Sequence, residues 1–263
     1  MTSIIKLRGK GVSRIINSKV MLSPLAGVTD KIFRKLVRKW APESLLFTEM
    51  INATSLKHGY GTQKIKQLEL EKGPIGVQIF DNRPFAVSEA AKLAEDSGAF
   101  LIDINMGCPV KKISRKGGGS ALINDRLLAI ELVKRVSNAV KVPVTVKTRL
   151  GWDNKEENIE EFLLSLQDAG AEMITLHGRT RKEGFSGKAD WEMIGKIKEL
   201  LEIPVIANGD IKNPKDAFNC FKKTNADGLM IGRGILGSPW KIGEIDYAIK
   251  EIKGFKEPNI EEK

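Results

Sequence analysis

From residue 20 onward, short apolar runs alternate with longer amphipathic ones, the pattern of repeated β/α units around a parallel sheet. The runs that read as strands are Val20 to Leu22, Leu45 to Thr48, Ile75 to Phe80, Phe100 to Ile104, Val144 to Lys147, Met173 to Leu176, Val205 to Ala207 and Leu229 to Ile231. Eight strands predict a closed (β/α)8 TIM barrel. Helices between them follow from spacing: Leu128, Leu132, Val136 and Val140 recur every fourth residue, and Ile159, Phe162, Leu163 and Leu166 form a second stripe of period 3.6. Pro84 and Pro214 suit first turns of helices, while Gly98 and Gly170 suit the left-handed residue that ends one. Similar segments precede several strands, among them Asp96-Ser97-Gly98-Ala99 and Asp168-Ala169-Gly170-Ala171.

In such a barrel the polar residues at the carboxyl ends of the strands, Gln78 being within the third, converge on one mouth. Reading them in order gives Ser23 to Gly27, Glu49, Gln78, Asn105 with Cys108, Lys147 with Arg149, His177-Gly178-Arg179, Asn208-Gly209-Asp210 and Gly232-Arg233-Gly234. The last two sets form a phosphate-site pattern, because glycine turns after strands seven and eight let backbone N–H groups approach an anion. Lys147 ends an otherwise apolar strand, where a buried ammonium needs an anionic partner. His177 taken alone reads as a structural histidine with a polar partner.

Cys108 lies in Met106-Gly107-Cys108-Pro109, a stiff turn at the carboxyl end of a buried strand. A thiol there serves either as a catalytic acid or nucleophile, or as a small core hydrophobe. Gly117-Gly118-Gly119-Ser120 lacks the Gly-Lys-Ser/Thr of a nucleotide P-loop and reads as a flexible loop. Beside it stand Lys111, Lys112, Arg115 and Lys116, which either contact phosphates or form a solvated charged loop.

Composition narrows the class. The chain has 263 residues, enough for one large core, and its 43 Lys plus Arg against 33 Asp plus Glu leave +10, favouring polyanionic partners. Two cysteines and two histidines make neither a disulfide framework nor a zinc set, so no metal is expected. Neither a leader nor a membrane span is evident, and a cytoplasmic protein is expected.

Pro24-Leu25-Ala26-Gly27-Val28-Thr29-Asp30, Asn105-Met106-Gly107-Cys108-Pro109, Lys147-Thr148-Arg149, His177-Gly178-Arg179-Thr180, Asn208-Gly209-Asp210 and Gly232-Arg233-Gly234 together resemble the flavin-dependent tRNA-dihydrouridine synthases, in that family's order. The resemblance spans about residues 20 to 245. It implies FMN bound by Pro24, Leu25, Ala26, Gln78, Lys147, His177, Asn208, Gly209, Asp210, Gly232 and Arg233, with NADPH or NADH as reductant. It also implies reduction of the C5=C6 bond of a uridine in tRNA, with Cys108 as proton donor, Asn105 and Arg179 facing the uracil, and Lys111, Lys112, Arg115 and Lys116 on the RNA. Leu25 stands where the family commonly has methionine. Residues 1–245 are expected to form the FMN-binding barrel and 246–263 a short helical, charged tail, the family's C-terminal helical domain being missing or reduced. Two other readings fit the residues alone: another FMN barrel reductase acting on a free pyrimidine or small enone, and a barrel binding RNA or a phosphorylated metabolite without redox chemistry.

Overall fold

The computed structural model describes residues 4–66, 68–153 and 158–259. The ends of the expected barrel and tail, residues 1–3 and 260–263, lie outside the described residues.

All eight expected strands form. They are β3 (Val20–Leu22), β4 (Leu46–Phe47), β6 (Ile75–Phe80), β7 (Leu101–Asn105), β8 (Val144–Arg149), β9 (Ile174–His177), β10 (Val205–Asn208) and β11 (Gly228–Ile231). Each pairs in parallel with its neighbour, and β11 pairs with β3, closing the barrel. A two-residue strand, β5 (Ile51–Asn52), adds to β6 at the rim.

The outer layer comprises α1 (Lys31–Trp40), α2 (Ala53–Lys57), α3 (Thr62–Lys66), α4 (Pro84–Asp96), α5 (Lys111–Ser114), α6 (Arg126–Ala139), α7 (Ile159–Asp168), α8 (Trp191–Leu200), α9 (Pro214–Thr224) and α10 (Lys241–Ile249). Their starts have local causes. Asp30, Asp125, Asp190 and Asn213 each accept a backbone N–H of the first turn, a cap that contributes about 1 kcal/mol. Pro84 and Pro214 occupy first-turn positions, and Gly98 and Gly170 follow helices with φ of +90° and +107°. Leu132 and Val136 of α6, and Phe162, Leu163 and Leu166 of α7, point inward into the core between helices and barrel.

A second core fills the barrel's amino end. There Met21, Phe47, Ile206 and Met230 meet Ile5, Leu7 and Ile16 from a hairpin of β1 (Ile5–Arg8) and β2 (Ser13–Ile16). This hairpin was not foreseen: the pattern began at residue 20. It is tied across the strand starts by Arg8 N to Glu172 and by Gly11 N to the Lys141 carbonyl.

Position 245/246 lies inside α10, where Asp246 is buried and accepts from Ser18 Oγ at 2.6 Å. Gly117–Ser120 is not an open loop. Gly119 to Ile123 form a 3-10 turn whose first residues are buried, and Gly119, with φ +60°, lies so close to the Cys108 turn that a Cβ would stand 2.9 Å from the Cys108 carbonyl oxygen. Glycine is there for close approach, not for freedom.

Candidate functional site

The carboxyl ends of the strands surround a cavity of about 620 Å³. Its wall includes Pro24, Leu25 and Ala26 after β3, Asn105 and Cys108 after β7, and Lys147 on β8. His177 and Arg179 follow β9, Asn208, Gly209 and Asp210 follow β10, and Gly232 and Arg233 follow β11. The fold thus brings together thirteen of the expected site residues from six strand ends.

Cys108 is half-buried in a turn held from two sides. Asn105 Oδ1 accepts from the N–H groups of Gly107 (3.2 Å) and Cys108 (2.9 Å), and Ser120 N–H donates to the Cys108 carbonyl at 3.1 Å. Burial pushes the thiol pKa up, against smaller opposing effects of the Val110 N–H, Arg149 and Lys147. A thiol raised this way stays protonated at neutral pH, which suits an acid and not a thiolate nucleophile.

Lys147 donates to Asn208 Oδ1 at 2.8 Å, and Asn208 Nδ2 in turn donates to the Met230 carbonyl at 2.7 Å. Desolvation, with Arg149 adding repulsion, lowers the Lys147 pKa to about 8. His177 is neutral: desolvation, then Lys147 and the three nearby arginines 149, 179 and 233, lower its pKa to about 2. A guanidinium only donates, so the Arg179 contact to His177 Nε2 at 3.4 Å leaves the ring proton on Nδ1.

The turns after β10 and β11 are cationic and tightly apposed. Gly234 lies so close to the Ile211 carbonyl oxygen that a Cβ would stand 2.2 Å from it, and Lys212 joins Arg233 on the wall. Although burial pushes the Asp210 carboxyl up, the Ala189 N–H and the Arg179 guanidinium hold it below the usual carboxylate range.

Two of the expected site residues are held by neighbouring groups. Arg179 is 2% exposed, and its guanidinium donates to the Ser186 and Gly187 carbonyls and to Asp210 at 2.7 Å. It fixes a loop, and only a small part of it reaches the cavity wall. Gln78, 1% exposed, lies beneath the cavity with its amide between Asp103 and Asn105. Lys111, Lys112, Arg115 and Lys116 are exposed on and just after α5, outside the cavity wall, and no ion pair engages them among the described residues.

Other wall residues come from loops that sequence patterning does not mark. Phe185 is 55% exposed, with the Arg233 guanidinium 4.0 Å and that of Arg149 5.5 Å from its ring centre. Arg149 links that loop to the thiol turn, donating to Gly107 O at 2.7 Å and to Gly184 O at 2.9 Å. Met50 adds an apolar, polarisable contact.

Among the described residues no cluster of His, Cys, Asp and Glu is arranged to hold a metal, and no helix is long and apolar enough to cross a membrane.

The dihydrouridine synthase (Dus) family model matches residues 21–263. A probable tRNA-dihydrouridine synthase 1 of Synechocystis sp. is 51% identical over 251 residues, 95% of this chain and 71% of that protein. A tRNA-dihydrouridine synthase B of Xanthomonas axonopodis pv. citri is 43% identical, over 93% of this chain and 74% of that one. A solved histamine dehydrogenase from a Rhizobium species superposes with a TM-score of 0.70 at 14% identity, covering 94% of this chain and 48% of that one, which is a likeness of fold.

Proposed function

Because this chain belongs to the dihydrouridine synthase family, we propose that it reduces the C5=C6 bond of particular uridines in tRNA to 5,6-dihydrouridine, using FMN in the barrel cavity and NADPH or NADH as reductant. The observation that carries this reading is the half-buried Cys108 thiol on the same cavity wall as Lys147, Lys212 after β10 and the Gly232–Arg233 turn after β11.

The residues suit a flavin mononucleotide. The volume lies within the usual range for small-molecule sites, and the donor set divides by chemistry. Arg233, Lys212 and the backbone of the Gly209 and Gly232 turns would hold the phosphate. Lys147 and Asn208 would meet the polar edge of the ring system, with Leu25 and Met230 against its apolar surface. Bound FMN supplies the hydride for C6 of the uracil. Cys108 Sγ–H gives the proton to C5, and the ammonium of Lys147 stabilises negative charge that gathers beside it. His177, neutral, contributes a fixed donor and adds no charge. A uridine must leave its stack to reach the cavity. The exposed cations of α5 adjoin Cys108 in the chain and would take the RNA backbone on either side of it.

Nucleoside mass spectrometry of tRNA from cells with and without the gene tests the reading. Loss of dihydrouridine at defined positions is expected, and an unchanged content in cells with no redundant enzyme would overturn it. A colourless protein that gains no flavin absorbance on adding FMN would instead favour a barrel without redox chemistry.

Two further results are expected. Arg233→Ala removes a charge-assisted contact of about 1.5–3 kcal/mol and should weaken FMN binding by one to two orders of magnitude; equal affinity by fluorescence titration would place the phosphate elsewhere. Neutralising Lys111, Lys112, Arg115 and Lys116 together should leave flavin content intact and flatten the slope of log affinity for tRNA against log salt by about 3 to 4 if each meets a phosphate. A slope equal to that of the wild type would assign these charges to solvation.

A further inference from the structure

The thiol turn is tied to the centre of the barrel by a chain of side-chain amides. Asn105 accepts from the two turn N–H groups through Oδ1, as described, and donates through Nδ2 to Gln78 Oε1 at 2.7 Å. Gln78 donates through Nε2 to Asp103 Oδ2, also at 2.7 Å. The second carboxylate oxygen, Asp103 Oδ1, accepts from Thr145 Oγ1 at 2.6 Å. Asp103 itself is fully buried and takes no part in the cavity wall.

The direction of this chain matters. An amide presents oxygen one way and NH2 the other, and the two ends have nearly the same shape, so packing alone does not choose between orientations. A carboxylate accepts only. It therefore makes Gln78 offer its NH2 inward and its oxygen outward, which makes Asn105 offer its NH2 to Gln78 and its oxygen to the turn. The reverse order would set the Asn105 NH2 against the N–H groups of Gly107 and Cys108, donor against donor, and the turn would lose its cap. Buried polar chains of this kind specify one arrangement only when every member is satisfied.

We propose that Asp103 is a positioning residue for Cys108, setting through Gln78 and Asn105 the amide polarity that holds the thiol turn in place. This deepens the proposed function and rests on it only for the role of the thiol. Burial raises the Asp103 pKa to about 6, against the hydrogen bonds from Gln78 and Thr145, so the acceptor form predominates at neutral pH.

Four variants test it, each with FMN bound and read for two quantities: alkylation of Cys108 by iodoacetamide, and single-turnover formation of dihydrouridine. Cys220 will not interfere, since it is buried and its pKa is pushed up to about 12. Asp103→Leu removes the acceptor at similar bulk. It should keep its flavin, alkylate faster because the turn loosens, and, started from reduced flavin so that the Asp103 charge acting on Lys147 does not enter, form dihydrouridine about ten- to a hundredfold more slowly through misplacement of the thiol. Asp103→Asn can keep its oxygen on Gln78 and turn its NH2 to the Thr145 hydroxyl, so it should restore most of both properties. Thr145→Val removes that outlet, so Asp103→Asn with Thr145→Val should fall well below the product of the two single effects.

A leucine variant with wild-type alkylation and turnover overturns the proposal, as does an asparagine variant that falls as far as the leucine one. If the leucine variant does not fold, the double variant decides, and effects that simply multiply overturn the proposal. Alkylation reports on the turn without any substrate. A wild-type protein that makes no dihydrouridine would count against the proposed function and leave the positioning test standing.

Discussion

Cys108→Ala is expected to match the wild type in binding FMN and in flavin reduction by the proposed nicotinamide donor, yet to form dihydrouridine about 10² to 10⁴-fold more slowly, the usual contribution of a general acid. The expectation rests on how the turn is built. Hydrogen bonds from the N–H groups of Gly107, Cys108 and Ser120 and from Arg149 to Gly107 O fix the turn without any side-chain atom of Cys108, so alanine should keep the backbone and lose the acid together with the Val110 N–H contact to sulfur. Slow protonation by water accounts for a remaining rate. A structural cysteine would behave differently: turnover would fall only in step with the fraction of folded, flavin-bound protein. Flavin content, the reductive half-reaction and dihydrouridine yield on one sample separate the two cases, and a normal yield would remove Cys108 from the chemistry.

The second large effect belongs to Lys147. Lys147→Met keeps an unbranched side chain, one atom shorter, and removes its charge, and should slow flavin reduction by about 10²-fold or more, as loss of one preorganised electrostatic contact does. The pH profile adds an independent check. The ammonium's pKa is lowered to about 8, so the charge is lost as pH rises through that value, and the wild-type reduction rate should fall on that limb. The methionine variant should lack the limb. An anion bound beside the ammonium would move it to higher pH. In the cofactor-free protein the same shift appears as stability. Between about 8 and the ordinary lysine value of 10.5 the unfolded chain holds more of this proton than the folded chain does, so this residue makes stability rise with pH across that window. A flat difference in stability between wild type and Lys147→Met over that range would contradict the burial assigned to the side chain.

Apolar run length made the barrel legible. Ile75 to Phe80 was read to the residue, because a strand buried on both faces is almost continuously apolar. The hairpin was not, since Ile5 and Leu7 alternate with Lys6 and Arg8 over only four residues and the charges colour the segment as a basic terminus. At the site, strand-end logic located Cys108, Lys147 and Asn208, but it does not say which way a side chain points. Gln78 lies within its strand and Arg179 just past the end of its own, and both bond to neighbouring groups. Glycine density misled at Gly117 to Ser120, where the glycines serve contact with the thiol turn. Phe185, Met50 and Lys212 follow no period. They reach the wall only because distant loops fold over the same opening.

The hairpin's three apolar side chains fill the amino end of the barrel, so the cavity is a well with a floor. Whatever binds deepest must arrive first and leave last. A nicotinamide donor and a flipped uridine would then have to use the same doorway in turn, which calls for alternation: reductant in and out, then RNA. Steady-state rates with the two substrates varied together should give parallel double-reciprocal lines, with each substrate inhibiting competitively against the other at high concentration. Cofactor exchange should stall while tRNA is docked, because its exit lies through the space the RNA covers.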